Sequence, residues 1–205
     1  MTTAAVRLRD VPPPPALPVN GKPHHTVGWW GMVFLILTEA SLFAFLLFSY
    51  FYLDAQNTTW PPGGPPEITL AMVNTIILVV SSVPVRLGVK SIQRGRRAML
   101  NFWLVVTLLL GIAFLIIEAI EWGEKPFSPQ TNAYASMFFT ITGFHYAHVA
   151  VGLLMLMVVM LRNVAGHFDA RHHLAVENVA LYWHFVGAVW IFVFLTFYIT
   201  PRWWR

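Results

Sequence analysis

Five stretches of predominantly apolar residues alternate with short polar or Pro/Gly-rich segments along this chain. A bilayer-spanning helix takes about 20 such residues, because lipid offers backbone N–H and C=O groups no partner outside the helix itself. The pattern therefore predicts membrane helices over about 28–53, 67–90, 98–121, 132–161 and 174–200. Charge is sparse in the middle of these stretches: Glu39 is the only ionisable group within the first, the second is uncharged from Ile68 to Val85, His145 and His148 lie inside the fourth, and His184 lies inside the fifth. Between the first two, Trp60-Pro61-Pro62-Gly63-Gly64-Pro65-Pro66 suits neither a helix nor a central strand and reads as a tight extramembrane turn. Ahead of the first helix, residues 1–27 carry Arg7 and Arg9 but no apolar core of a signal peptide, and Pro12 to Pro15 oppose a helix. They are read as an uncleaved tail. The expected architecture is all-α, an integral membrane bundle of five helices with no separate soluble domain.

Composition agrees with that pattern, since 57% of the 205 residues are hydrophobic and only 11% are charged, against roughly one quarter charged in soluble domains. The basic excess, 13 Lys and Arg against 9 Asp and Glu, has a topological explanation. Arg7, Arg9 and Lys22 of the tail, Arg86, Lys90, Arg94, Arg96 and Arg97 near the second connection, and Arg162 and Arg171 near the fourth all fall on one side, whereas Lys125, Arg202 and Arg205 fall on the other. By the positive-inside rule the N-terminus is cytoplasmic and the C-terminus outside. With no cysteine, disulfides, iron–sulfur clusters and thiolate-bound copper are excluded. Trp29, Trp30, Trp122, Trp203 and Trp204 flank the predicted helices, where amphipathic rings favour the interface. Gly143, Ala147 and Val151 recur at a spacing that lets a neighbouring helix approach closely.

Ionisable groups inside the hydrocarbon layer are costly, so each demands a partner or a function. Glu39, near the middle of its helix, is expected to be protonated or hydrogen-bonded, either as a structural carboxyl or as one that exchanges protons. His145 and His148 share a face at i, i+3 spacing, as do Glu177 and His184 seven apart, and the two faces are expected to meet in an interhelical polar network. Metal ligation fits poorly, because bundle di-iron sites use Glu-x-x-His pairs and this chain has none suitably placed. Arg162, His167, His172 and His173 cluster at the basic side, where they suit either a lipid phosphate or an ordinary positive-inside loop. Neither a phosphate-binding glycine loop nor a nucleophile with an adjacent base is present, so the chain lacks the marks of a self-sufficient enzyme. An independent proton-coupled transporter is the competing class, but five spans do not divide into equal inverted halves.

Several stretches read together carry a family resemblance. Trp30-Gly31-Met32 opens a helix holding Thr38-Glu39, Asn74-Thr75 lies in the second helix, and Arg97-Ala98-Met99-Leu100 opens the third. The segments Phe138 to His148 (FFTITGFHYAH) and Tyr182 to Trp190 (YWHFVGAVW) resemble the signatures of subunit III of the haem-copper terminal oxidases, cytochrome c oxidase above all. The resemblance runs from about Trp29 to the C-terminus and matches the last five helices of a seven-helix long form, as in five-helix bacterial members. It implies a non-catalytic subunit of a proton-pumping oxidase in a bacterial inner membrane, packed on subunit I, with haem and copper carried by partner subunits and none bound by this chain. A ubiquinol oxidase or nitric oxide reductase accessory subunit is the alternative within the resemblance. It further implies that Glu39 is the family's membrane-buried, carbodiimide-reactive glutamate, that Arg162 and His167 approach a phospholipid headgroup, and that His145, His148, Glu177 and His184 serve interhelical bonding. Gly187 stands where the family motif offers an aspartate, and is expected to permit a closer helix contact.

Overall fold

The computed structural model describes residues 26–203; the expected tail features from Arg7 to Lys22, and Trp204 and Arg205 at the other terminus, lie outside them. Five long helices form the protein: α1 (Val27–Gln56), α2 (Thr69–Gln93), α3 (Arg97–Glu124), α4 (Ala133–Val164) and α5 (Leu174–Phe194). A π-helical segment (Leu195–Ile199) and a last turn, α6 (Thr200–Trp203), prolong α5. All five are long and apolar enough to cross a membrane. They outrun the predicted stretches by a few residues at most ends, because helical turns continue beyond the hydrocarbon once water or a cap can satisfy the last backbone groups. Thr26 caps α1 by accepting from the Trp29 amide (3.3 Å), and Asn132 caps α4 by accepting from the Ala135 amide (2.8 Å).

The bundle differs from a soluble one in that its outer surface is apolar as well as its core. Large apolar side chains such as Phe34, Phe45, Phe48, Ile76, Leu109 and Leu154 face outward, while Asn74, Ser81, Thr107, Glu118, Glu121, Thr142, His145 and Asn163 are buried. Lipid is as apolar as leucine, so no hydrophobic drive brings the helices together, and small residues and polar contacts do so instead. Trp183 of α5 is the clearest case. Its ring fills a slot walled by Gly111 of α3 and Gly152 of α4, where an added Cβ would meet it at 2.7 Å and 3.0 Å. Its Nε1 donates to Ser81 Oγ of α2 at 2.9 Å, so a single side chain ties four helices. One face further along, Trp190 Nε1 donates to Thr75 Oγ1, also at 2.9 Å.

Two packing expectations change. In the Gly143, Ala147, Val151 row, Ala147 and Val151 are exposed to the bundle's outside and Gly143 is half-buried, so the close helix approach occurs at Gly111 and Gly152, which the four-residue pattern does not contain. At Gly187 an added Cβ would lie 3.7 Å from Ser82 Oγ, an ordinary contact; the glycine is not required by close approach. Pro84 is buried inside α2, which continues past it to Gln93.

α1 is the least embedded helix. Only Phe43 and Tyr50 are fully buried in it, and it rests on α5 and α4. At the end of the bundle away from the arginine-rich turns, Tyr50, Trp60, Tyr134, Phe138 and Phe197 form an edge-to-face aromatic cluster that anchors the proline-rich turn to α4 and the π-helical segment.

Candidate functional sites of the bundle

Glu39 on α1 and His148 on α4 meet across the helix interface, with Oε2 and Nε2 3.0 Å apart. The other ring nitrogen fixes how the proton between them is counted. His148 Nδ1 lies 2.7 Å from the Phe144 carbonyl oxygen, which only accepts, so Nδ1 carries a hydrogen. Nε2 then either accepts an O–H from a neutral Glu39 or, as part of an imidazolium, donates to a carboxylate. Both arrangements place a single proton between the facing atoms and leave the pair without net charge, the condition a hydrocarbon environment favours. Phe43 covers the imidazole edge-on at 5.0 Å, and Tyr182 donates its hydroxyl to the His148 carbonyl at 3.3 Å. The Glu39 side chain stays 33% accessible.

His145, one turn away, points into the core instead. It is fully buried against Trp190 (ring centroids 4.9 Å), Phe114 (5.7 Å) and Phe43 (6.3 Å), and neither ring nitrogen has a hydrogen-bond partner. The expected polar network therefore does not form as one unit. Glu177, at the opposite end of α5 from the π-helical segment, accepts from Gln93 Nε2 of α2 at 3.0 Å and lies 3.2 Å from His173 Nε2. His184 lines a groove between α1, α2 and α5 together with Arg86. The i, i+3 and i, i+7 spacings correctly place these residues on shared helix faces, but the faces of α4 and α5 turn toward different neighbours. Among the described residues no group of three His, Asp or Glu can hold a metal ion.

Arg162 and His167 are brought together at the α4–α5 turn. His167 Nδ1 donates to the Arg162 carbonyl at 3.2 Å, and the guanidinium lies over Phe168, 5.4 Å from the ring centroid. Both side chains remain exposed. In the same turn Asp169 accepts from the Arg171 and His172 amides, each at 2.7 Å. These backbone donors, with His172 Nδ1 at 3.2 Å, hold its carboxyl down at about 2.

A further buried polar site, not singled out from the sequence, is built on Glu118 and Glu121 near the end of α3. Glu118 accepts from Asn74 Nδ2 of α2 (3.0 Å) and from Trp122 Nε1 (3.1 Å). Glu121 Oε1 accepts from Tyr198 of the π-helical segment (2.5 Å) and from Lys125 (2.7 Å). Trp122 is thus a carboxylate partner, half-buried against Phe139 and Tyr146, as well as an interfacial ring. The available signal was the i, i+4 spacing of Glu118 to Trp122 and Glu121 to Lys125; what the sequence lacked was the π-helical widening that swings Tyr198 inward. Arg202 closes this end by donating to the Tyr198 and Pro66 carbonyls.

These features define a polytopic membrane protein whose buried polar residues bind helix to helix, with a partly accessible carboxyl–imidazole pair between α1 and α4. Comparison with known proteins gives the particular kind. The family model described as Cytochrome c oxidase subunit III matches residues 20–204. Cytochrome c oxidase subunit 3 of Drosophila melanogaster is 37% identical over 185 residues, covering 85% of this chain and 68% of that protein. The Mus musculus protein of the same name is 36% identical over 185 residues, covering 85% and 69%, and that of Synechocystis is 36% identical over 179 residues, covering 86% and 77%. The chain belongs to the cytochrome c oxidase subunit III family, and is accordingly a multi-pass membrane subunit of a respiratory terminal oxidase complex that contains other subunits.

Proposed function

We propose that the chain stabilises the catalytic subunit I of a proton-pumping oxidase, keeps proton uptake into it efficient, and holds phospholipid at its basic end, with haem and copper carried by the partner subunits. Supporting this reading is the Glu39–His148 pair: a carboxyl and an imidazole within the bilayer, sharing one proton, partly accessible, and held in place by α4 and Tyr182. Such a pair passes its proton between two atoms 3.0 Å apart without changing its net charge, which suits a group that buffers or relays protons beside a proton-consuming neighbour. Arg162 and His167 offer an exposed cation and a ring donor at a turn where phosphate groups sit, and the distribution of Arg94, Arg96, Arg97, Arg162 and Arg171 at one end supports a cytoplasmic N-terminus in a bacterial plasma membrane.

Purification through a tag on this chain in mild detergent, with an optical spectrum and mass identification of its companions, tests the reading. Haem absorbance with a large catalytic subunit is the expected result, and the haem type with the remaining companions identifies the electron donor. A colourless chain that purifies alone from membranes containing the oxidase overturns it.

A further inference from the structure

At the end of the bundle away from the arginine-rich turns, the proline-rich α1–α2 turn and the α3–α4 turn enclose a cavity of about 340 Å³. Its walls are rich in acceptors and poor in donors. Pro62, Pro65, Pro66 and Pro126 line it, and proline offers a carbonyl but no N–H. The Gly64 amide is taken by the Pro61 carbonyl at 3.1 Å. Three carboxylates, those of Glu67, Glu121 and Glu124, share the cavity with one cation, Lys125.

That cation is committed. Lys125 Nζ lies 2.7 Å from Glu121 Oε1 with its side chain only 7% exposed, over the rings of Phe138 (5.2 Å) and Tyr198 (5.5 Å). Glu121 Oε1 also accepts from Tyr198, whereas Oε2 is buried and accepts from nothing among the described residues. Exposed carboxylates such as Glu67 and Glu124 need no partner but water; a carboxylate oxygen withdrawn from water without a donor is costly, and this one belongs to a residue that lines the cavity. The backbone adds to the demand for positive charge. Glu121 and Glu124 occupy the last turn of α3, which holds no basic residue, at the helix end whose unpaired carbonyls favour cations. Arg202, the other described cation at this end, already donates to the Tyr198 and Pro66 carbonyls. No three acidic or histidine side chains among the described residues are placed to hold a metal ion. The cation that fits is therefore an organic one carrying several donors on a flexible stem, as a guanidinium or an ammonium side chain does.

We propose that this cavity receives a lysine or arginine side chain from an extramembrane loop of another subunit of the complex, its charged head directed to Glu121 Oε2 and the exposed carboxylates of Glu67 and Glu124 at the mouth. One inserted side chain joins the α1–α2 and α3–α4 turns and fixes this end of the chain against its neighbour. The inference goes beyond the support of proton uptake and lipid binding, and needs only a complex with other subunits; the haem spectrum of the same preparation reports the oxidase reading separately.

The purified complex tests it. Pro126, an exposed residue of the cavity wall outside the carboxylate cluster, is replaced by photoreactive benzoylphenylalanine, and the adducts formed on illumination are mapped by mass spectrometry. The expected adduct joins this chain to an extramembrane segment of another subunit within a few residues of a Lys or Arg. Its yield is expected to fall about fivefold in Glu67→Gln/Glu124→Gln and to be kept in Glu67→Asp/Glu124→Asp. Adducts with lipid or detergent alone, adducts within this chain, a partner segment without Lys or Arg, or an undiminished yield in Glu67→Gln/Glu124→Gln overturn the proposal. Should that double variant fail to assemble, ionic strength decides in the complex with native carboxylates: between about 0.1 M and about 1 M salt the yield should fall as the two exposed charges are screened, and a salt-independent yield overturns the proposal.

Discussion

Glu39 Oε2 and His148 Nε2 stand 3.0 Å apart, and the other imidazole nitrogen lies 2.7 Å from the Phe144 carbonyl oxygen. Carbodiimides react with a carboxyl in an apolar setting, and Glu39 lies in one with its side chain 33% accessible. Glu39→Gln, whose amide can still donate to His148, is expected to assemble normally, to abolish carbodiimide labelling of the chain, and to lower oxidase activity only in part. Complete loss of oxygen reduction in a fully assembled complex would show that the residue does more than support the catalytic subunit.

The slot around Trp183 makes a packing prediction. An Ala Cβ at 111 would meet Leu153 Cδ2 at 2.6 Å and Trp183 Cη2 at 2.7 Å, and the indole is held by its bond to Ser81, so it has little freedom to retreat. Gly111→Ala should destabilise the subunit by about 1–3 kcal/mol, seen as a lowered thermal midpoint in detergent. Gly143→Ala, whose Cβ would reach no closer than 3.9 Å to Trp122, should leave the midpoint unchanged.

Removing one partner of a buried carboxyl exposes the asymmetry of hydrogen bonding. Tyr198→Phe takes the hydroxyl from Glu121, which is 3% exposed and whose other oxygen already lacks a partner, so a loss of about 1–3 kcal/mol in thermal or denaturant stability is expected. Glu118→Gln keeps an acceptor for Asn74 or Trp122 and should cost less. Equal losses in the two variants would show that charge, not hydrogen-bond satisfaction, governs this end of the bundle.

Arg162→Ala with His167→Ala should reduce the phospholipid that co-purifies with the complex and shorten its working life under turnover, because the exposed cation and ring at the α4–α5 turn are the groups offered to a headgroup there. Lipid content equal to that of the native complex would remove the assignment.

The same turn has a defined acid response. Asp169 is depressed to about 2, chiefly by the Arg171 and His172 backbone donors, from an ordinary value near 4. A group depressed on folding contributes its stabilisation above the unfolded value and loses it as pH falls through the folded one. Protection of the Arg171 and His172 amides from hydrogen exchange should therefore persist to about pH 4 and disappear as pH approaches 2, while Asp169→Ala should lack that protection at neutral pH. Equal protection in the variant would show that the turn is held by other contacts.

Much of the fold was legible because membrane helices announce themselves locally: a run of apolar residues in lipid has no alternative to internal hydrogen bonding. The polar sites were legible only as far as their own helices. Glu39 stood out as an intramembrane carboxyl, but nothing in the spacing of α1 names His148 as its partner. His145 and His148 share a face by periodicity, yet His145 enters the aromatic core while His148 reaches α1. Glu118 and Glu121 lie near the end of α3 beside Trp122, Glu124 and Lys125, and their partners Asn74 and Tyr198 are remote in sequence.

By itself the sequence determined the number of helices, their boundaries to within a few residues, the uneven placement of arginine between the two ends, and the positions of the rare polar groups. Each of these follows from the transfer of single residues or short windows between water and lipid. The tertiary structure alone decided which polar groups pair, that Gly111 and Gly152, not the Gly143 row, receive the Trp183 ring, and that the π-helical turn carries Tyr198 to Glu121. Those outcomes depend on how each helix rotates about its axis, and rotation is set by mutual fit between side chains of several helices, where lipid provides no directional force of its own.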